Sequence, residues 1–236
     1  LTSASSHFVE EFAIIYKDLF TSIIMKEVKT KDGSITFFNE YFQDVYNSVT
    51  GAMEEAEKKF VIPTKIPELA KTGSIKILDV CFGIGYNSLL AIHLAKQSNP
   101  KVKIEIVGLE NDKEVIEQII KMKFKDDLKQ EYKIIQEAAK ACLGLPNKKD
   151  KNIKITLILD DARKSVNKLT DLYDAVFLDP FTPKTCPEMW SEPFIKDISK
   201  RMQPNSIIAT YSCARKVRDA MRAAQLDVHD GPKVGR

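Results

Sequence analysis

The stretch Ile77-Leu78-Asp79-Val80-Cys81-Phe82-Gly83-Ile84-Gly85-Tyr86-Asn87 reads as a buried strand that runs into a tight turn and then a helix. Gly83 and Gly85 let the backbone turn sharply and approach a ligand. The helix they open offers free N–H groups to polar atoms. A Gly-x-Gly pair alone is a weak signal, and the dinucleotide-binding fingerprint wants a third glycine at position 88, where this chain has Ser88. Asp79, four residues before Gly83, sharpens the reading. A carboxylate there suits the ammonium group of an amino acid and repels a pyrophosphate. The plainer alternative is an aspartate that caps neighbouring backbone N–H groups.

Outward from this turn, short apolar runs alternate with stretches of helical period. Strands are predicted at Lys76–Val80, Ile104–Leu109, Ile153–Leu159, Ala175–Leu178 and Ser206–Thr210. Helices are predicted at Tyr86–Lys96, Lys113–Lys123, Arg163–Leu169, Glu188–Met202 and Ala214–Ala224. This alternation predicts right-handed crossovers and a mostly parallel, twisted α/β sheet of Rossmann-like type, with helices on both faces. Residues 71–236 form this domain. Residues 1–70 read as an extension: a helix at Phe8–Tyr16, a hairpin over Val28–Phe38 turning at Asp32-Gly33, and a helix over Gly51–Phe60. Lys125–Asn152 reads as a solvated connector that carries a helix at Glu131–Leu143 and a lysine-rich loop.

Ligands of such sheets lie beyond the carboxyl ends of the strands. The second predicted strand ends in Glu110, placed to accept hydrogen bonds from both ribose hydroxyls of an adenosine. The third ends in Asp160-Asp161-Ala162, where an aspartate suits the exocyclic amine of adenine and the alanine leaves room for the ring. A helix N-cap is the other reading of Asp161. The fourth ends in Asp179-Pro180-Phe181. A carboxylate beside the donor site can orient a substrate nitrogen and accept its proton, and Phe181 can stack on a base or sit in the core. Adenosine and amino-acid features on one sheet predict a class I methyltransferase that uses S-adenosyl-L-methionine.

Composition sets the outer limits. The chain has 236 residues, 44% hydrophobic and 29% charged, an ordinary globular balance that excludes a disordered or fibrous protein. Lys+Arg 36 against Asp+Glu 33 gives +3, so bulk charge does not demand nucleic acid. Arg215, Lys216, Arg218 and Arg222 form a local basic cluster, in which Arg215, Arg218 and Arg222 at helical spacing could share one face and meet phosphates or simply face solvent. The cysteines at 81, 142, 186 and 213 form no C-x-x-C pair, and with the three histidines they suggest neither a metal site nor disulfides. A reducing, cytoplasmic setting is expected, with no membrane span and no leader. Trp190, the one tryptophan, reads as a core anchor.

Several blocks carry a resemblance to a known family. Phe177-Leu178-Asp179-Pro180-Phe181-Thr182-Pro183 with Pro187-Glu188-Met189-Trp190 resembles the signature of the tRNA 5-methylaminomethyl-2-thiouridine methyltransferases. Asp79-Val80-x-Phe82-Gly83-x-Gly85-Tyr86-Asn87 resembles it too, as do Thr210-Tyr211-Ser212 with Val217-Arg218, and Tyr46-Asn47-Ser48-x-x-Gly51-Ala52-x-x-Glu55-Ala56. The resemblance runs from about Phe38 onward. It implies methylation of the aminomethyl side chain of the wobble uridine in the tRNA anticodon stem-loop. A chain of this length is similar to the stand-alone form, which implies a separate oxidase as the source of the aminomethyl precursor.

By position, Asp179 becomes the catalytic carboxylate, and Glu110 and Asp161 (with Asp160 beside it) hold the adenosine. Asp79, Gly83, Gly85 and the motif residue Asn87 take the methionine end, and Glu55 helps close the donor site. Three positions depart from the pattern. Cys81 stands where the loop has its first glycine and must fit against the donor, Pro180 replaces the glycine after the catalytic aspartate, and Gln225 replaces a glycine ending the last helix. The chain also stops at Gly235-Arg236, short of a further strand. Two other expectations stay open: an amino-methyltransferase acting on another nucleobase or a small amine, and a nucleoside- or RNA-binding protein that has lost the reaction.

Overall fold

The computed structural model describes residues 25–124 and 128–232, so the predicted helix at Phe8–Tyr16 lies outside the described residues. Strand β1 (Lys26–Lys29) pairs antiparallel with β2 (Ile35–Asn39), and β3 (Asp44–Val45) adds to the other edge of β2. The hairpin turns at Asp32-Gly33, where Gly33 has φ 85°. Helix α1 (Ala52–Glu55) then runs straight into a π-helical segment, Ala56–Val61. The single helix predicted over Gly51–Phe60 therefore changes hydrogen-bond pattern midway. Helix α2 (Ile66–Ala70) leads into the main sheet.

That sheet contains β4 (Ser74–Val80), β5 (Lys103–Glu110), β6 (Ile153–Leu159), β7 (Tyr173–Leu178) and β8 (Met202–Ala209), all parallel, in the order β6-β5-β4-β7-β8. The chain winds outward from β4 in one direction and from β7 in the other. The switch point of the sheet thus falls between the ends of β4 and β7.

Strand parity sorts the side chains into two cores. Ile75, Ile77, Ile104, Ile106, Ala175 and Phe177 pack on one face with Leu89 and Ile92 of α3 (Tyr86–Ser98) and Val115, Ile116 and Ile119 of α4 (Lys113–Lys121). Leu78, Val80, Leu109, Val176 and Leu178 pack on the other with Val166 of α6 (Ala162–Lys168), Ile195 and Ile198 of α7 (Glu192–Ser199) and Val217 of α8 (Arg215–Ala223). Each fully buried Leu or Ile of these sets contributes about 1.5–3 kcal/mol.

Two expectations change. The connector helix α5 (Lys129–Cys142) is part of the first core, with Tyr132, Ile135 and Ala139 buried. Its Gln136 amide donates to the carbonyls of Ile119, Ile120 and Met122, satisfying the end of α4. The helix predicted over Glu188–Met202 is split. A 3-10 turn at Pro187–Trp190 ends at the extended Ser191, α7 starts at Glu192, and Met202 already opens β8.

Candidate active site

The carboxyl ends of the strands open onto a cleft of about 280 Å³. Its floor is the loop after β4. Cys81, Gly83 and Gly85 have φ of 64°, 54° and 83°, so the chain makes its turn with a cysteine in a conformation that favours glycine. Gly85 is also the N-cap residue of α3. A Cβ there would lie 2.8 Å from the Phe82 ring, so glycine is required by packing as well as by φ.

Glu110, at the end of β5, holds this loop. One carboxylate oxygen accepts the Gly83 N–H at 2.8 Å, and the other accepts the N–H groups of Asn111 and Asp112, each at 2.9 Å. Burial pushes its carboxyl up to about 7, against the opposing pull of those N–H donors. Asp161 caps α6 by accepting the Arg163 N–H at 2.9 Å, and its side chain also pairs with the Arg163 guanidinium. That pairing keeps its carboxyl below the ordinary value. Asp161, Ala162 and Arg163 line the cleft beside Glu110.

Asp179 follows β7, and its N–H donates to the Val80 carbonyl at 3.1 Å, locking the two strand ends together. Its carboxylate accepts the Asn87 amide N–H of α3 at 2.9 Å. Burial and then the negative charge of Glu55 hold the Asp179 carboxyl well above the usual carboxylate range. The loop beyond it is braced by three donors. The Trp190 indole and the Cys186 thiol donate to the Phe181 carbonyl at 2.8 and 2.9 Å, and the Tyr211 hydroxyl donates to the Pro180 carbonyl at 2.9 Å. Trp190, 1% exposed, is the anchor its sequence context predicts.

The opposite wall comes from the extension. Phe42 stacks on Phe181 with ring centroids 4.5 Å apart, and Tyr46 lies 5.2 Å from Phe181. The Tyr46 hydroxyl donates to Asp112, and the Asn39 amide donates to both the Tyr46 hydroxyl (2.9 Å) and Asp112 (3.1 Å). This network fastens the small sheet to the end of β5.

Of the residues singled out in the sequence, Cys81, Gly83, Glu110, Asp161, Asp179, Phe181 and Glu55 line this one cleft. Asp79, Gly85, Asn87, Asp160, Arg215 and Arg218 do not. Asp79 shares strand parity with Ile75 and Ile77, so its side chain turns toward α3, where the Ser88 hydroxyl donates to it at 2.7 Å. It is fully buried, its other oxygen has no partner among the described residues, and burial pushes its carboxyl up to about 8. Asp160 points outward to Lys168 at 3.0 Å. Arg215 is solvent-exposed beside Asp219, and Arg218 bonds Asp230. Phe42 and Tyr46 escaped attention as individual site residues. Tyr46 lies in a block carrying the family resemblance, whereas nothing in its spacing marks Phe42.

A family model described as S-adenosyl-L-methionine-dependent methyltransferase matches residues 122–236. The chain is 32% identical over 214 residues to an uncharacterized protein of Methanocaldococcus jannaschii, covering 89% of this chain and 56% of that one. It is 22% identical over 210 residues to the tRNA 5-methylaminomethyl-2-thiouridine biosynthesis bifunctional protein MnmC of Leptospira borgpetersenii, covering 86% of this chain and 32% of that protein. The chain thus spans about half the length of the first relative and a third of the second. The crystal structure of MnmC2 from Aquifex aeolicus is 28% identical, with a TM-score of 0.78 over 96% of this chain and 74% of that one. Among the described residues no helix is long and apolar enough to cross a membrane. Residues 122–236 are thus similar to the S-adenosyl-L-methionine-dependent methyltransferases, and the chain is related to the methyltransferase part of the MnmC proteins.

Proposed function

We propose that this chain methylates the primary amine of 5-aminomethyl-(2-thio)uridine at the tRNA wobble position, giving 5-methylaminomethyl-(2-thio)uridine. The observation that carries this reading is Asp179. A half-buried carboxyl that faces the cleft at the switch point, held by Asn87 and raised in pKa, is suited to a substrate nitrogen. The kinship with proteins named for 5-methylaminomethyl-2-thiouridine biosynthesis in tRNA supplies the substrate class.

The cleft fits S-adenosyl-L-methionine. Its acidic lining, Glu55, Glu110, Asp161 and Asp179, suits a cationic ligand. Glu110 would hold the ribose, Asp161 and Ala162 the adenine, and the Cys81–Gly85 loop the methionine portion. When bound, the donor supplies a sulfonium methyl that a neutral amine can attack.

The chain's own residues prepare that amine. Asp179 accepts a hydrogen bond from the nitrogen and takes its proton. Its raised pKa makes it a better proton acceptor than an ordinary carboxylate. Asn87 fixes the carboxylate orientation. Phe42 and Phe181, stacked on each other, give the cleft wall an aromatic surface on which a pyrimidine would pack.

The test is incubation with radiolabelled S-adenosylmethionine and two tRNA pools, one bearing aminomethyl-uridine and one unmodified, followed by nucleoside analysis. Label confined to methylaminomethyl-uridine in the first pool is expected. Label on another nucleoside, or none, sinks the reading. Asp179→Ala should lower turnover by about 10²–10⁴-fold while donor binding persists.

A further inference from the structure

Glu55 reaches the cleft from the extension. Gly51 is the N-cap residue of α1, and Asp32 of the hairpin turn accepts the N–H groups of Met53 and Glu54 at 3.1 and 3.4 Å. A Cβ on Gly51 would come within 2.8 Å of the Asp32 carboxylate, so glycine there keeps the hairpin seated on the helix. One Glu55 oxygen accepts the Ser48 N–H at 3.0 Å, and the other pairs with Lys59 at 2.7 Å. Lys59 sits in the π-helical segment, 6.0 Å from the centre of the Tyr211 ring. Glu55 is thus fixed in place, with its side chain 14% exposed on the cleft wall.

Its charge acts on Asp179 and Tyr211, the groups past β7 and β8. The groups around Asp179 are Glu55 and Lys59 from the extension, Asp79 and Cys81 from β4 and its loop, Asn87 from α3, and Tyr211. Among these the Lys59 ammonium is ion-paired with Glu55. Glu55 and Asp179 both line the cleft, so a cationic group bound there would have two carboxyls to pair with. A primary ammonium supplies that charge together with three N–H donors, enough to reach both carboxylates.

We propose that Glu55 and Asp179 form a two-carboxylate seat for a primary alkylammonium, in which Glu55 selects the charged amine and Asp179 removes its proton. The proton passes from nitrogen to an Asp179 oxygen and on to water, leaving the lone pair on nitrogen. Glu55 then serves the substrate rather than closing the donor site. This inference rests on the amine-methyltransferase reading but is tested apart from it.

The test compares two nucleosides, 5-aminomethyluridine and its uncharged counterpart 5-hydroxymethyluridine, titrated by NMR into the whole chain saturated with S-adenosylhomocysteine. The wild type should prefer the amine by about tenfold or more, the scale of one charge-assisted hydrogen bond. Glu55→Gln, which keeps the shape and an oxygen for the Ser48 N–H, should erase most of that preference and leave S-adenosylhomocysteine affinity unchanged. Lys59→Met removes the competing ammonium and should enlarge the preference, so a misfolded Glu55 variant does not end the test. No preference in the wild type, a preference that survives Glu55→Gln, or one that shrinks in Lys59→Met overturns the proposal. So does a loss of S-adenosylhomocysteine affinity in Glu55→Gln. If the amine preference behaves as expected but tRNA gains no methyl, the seat stands and the tRNA reading falls.

Discussion

Cys81 occupies a left-handed position, φ 64°, at the tightest point of the loop after β4. An L-residue held there costs roughly 1–2 kcal/mol, and a glycine would relieve it. Glycine also gains freedom in the unfolded chain, worth about 0.5–1 kcal/mol in the other direction, so the net change in stability is small. The functional consequence is larger, because the cysteine side chain lines the cleft where the methionine end of the donor would lie. Burial pushes its thiol well above the ordinary value, so it is an inert wall rather than a reactive group. Cys81→Gly is therefore expected to tighten donor binding by up to about tenfold with Tm nearly unchanged. Calorimetric titration checks this, and unchanged or weaker affinity would show that the side chain leaves the donor room. Gln225, also at a position where a glycine was expected, has φ 63° at the end of α8. In both places the backbone keeps the glycine conformation although the side chain has changed.

At the scale of elements, the floor of the cleft depends on how β5 passes beneath Phe82. A Cβ on Gly108 would stand 2.5 Å from the Phe82 ring and 2.6 Å from Leu157, both inside the packed core. Gly108→Ala must therefore displace the ring that supports the glycine loop. The expected cost is about 1–3 kcal/mol of stability, together with a fall in donor affinity. Thermal unfolding and donor titration on the same sample would check it, and a loss of stability with donor affinity intact would detach the loop from β5. The parallel sheet was legible in the sequence because buried strands and helical period leave separate marks, and because acidic residues stand at successive strand ends. The orientation of Asp79 was legible too, through the parity it shares with Ile75 and Ile77, yet the Gly-x-Gly context drew attention to the ligand instead. The π-helical widening after Glu55 was not legible, since apolar spacing does not report the hydrogen-bond pattern. Nor was the wall formed by Phe42 and Tyr46. It depends on the Asn39–Tyr46–Asp112 contacts between segments distant in sequence.

Over the whole molecule the formal charge is only +3, but the carboxyls are unevenly placed. Glu110 is pushed up to about 7 and Asp79 to about 8, and Asp179 too is held above the usual carboxylate range, all primarily by burial. A carboxyl whose folded pKa exceeds its unfolded value binds more protons in the native state. Its contribution is full below the unfolded pKa and is lost as pH rises through the folded pKa. For Glu110, moving from 4.5 to about 7, that loss approaches about 3 kcal/mol. Carboxyls lowered by partners, such as Asp161 beside Arg163 and Asp197 beside Lys200, act in the opposite sense, and only below about pH 4. Between pH 5 and pH 8 the buried set therefore dominates, and the ligand-free protein should lose Tm across that interval. A cationic donor binds the ionised cleft more tightly than the protonated one, so the Tm increase it produces should grow over the same interval. Thermal scans from pH 5 to pH 9, with and without S-adenosylmethionine, test both slopes at once. A ligand-free Tm that rises to pH 8, or a donor-induced increase that is largest at pH 5, would mean that these carboxyls are already ionised in the empty cleft.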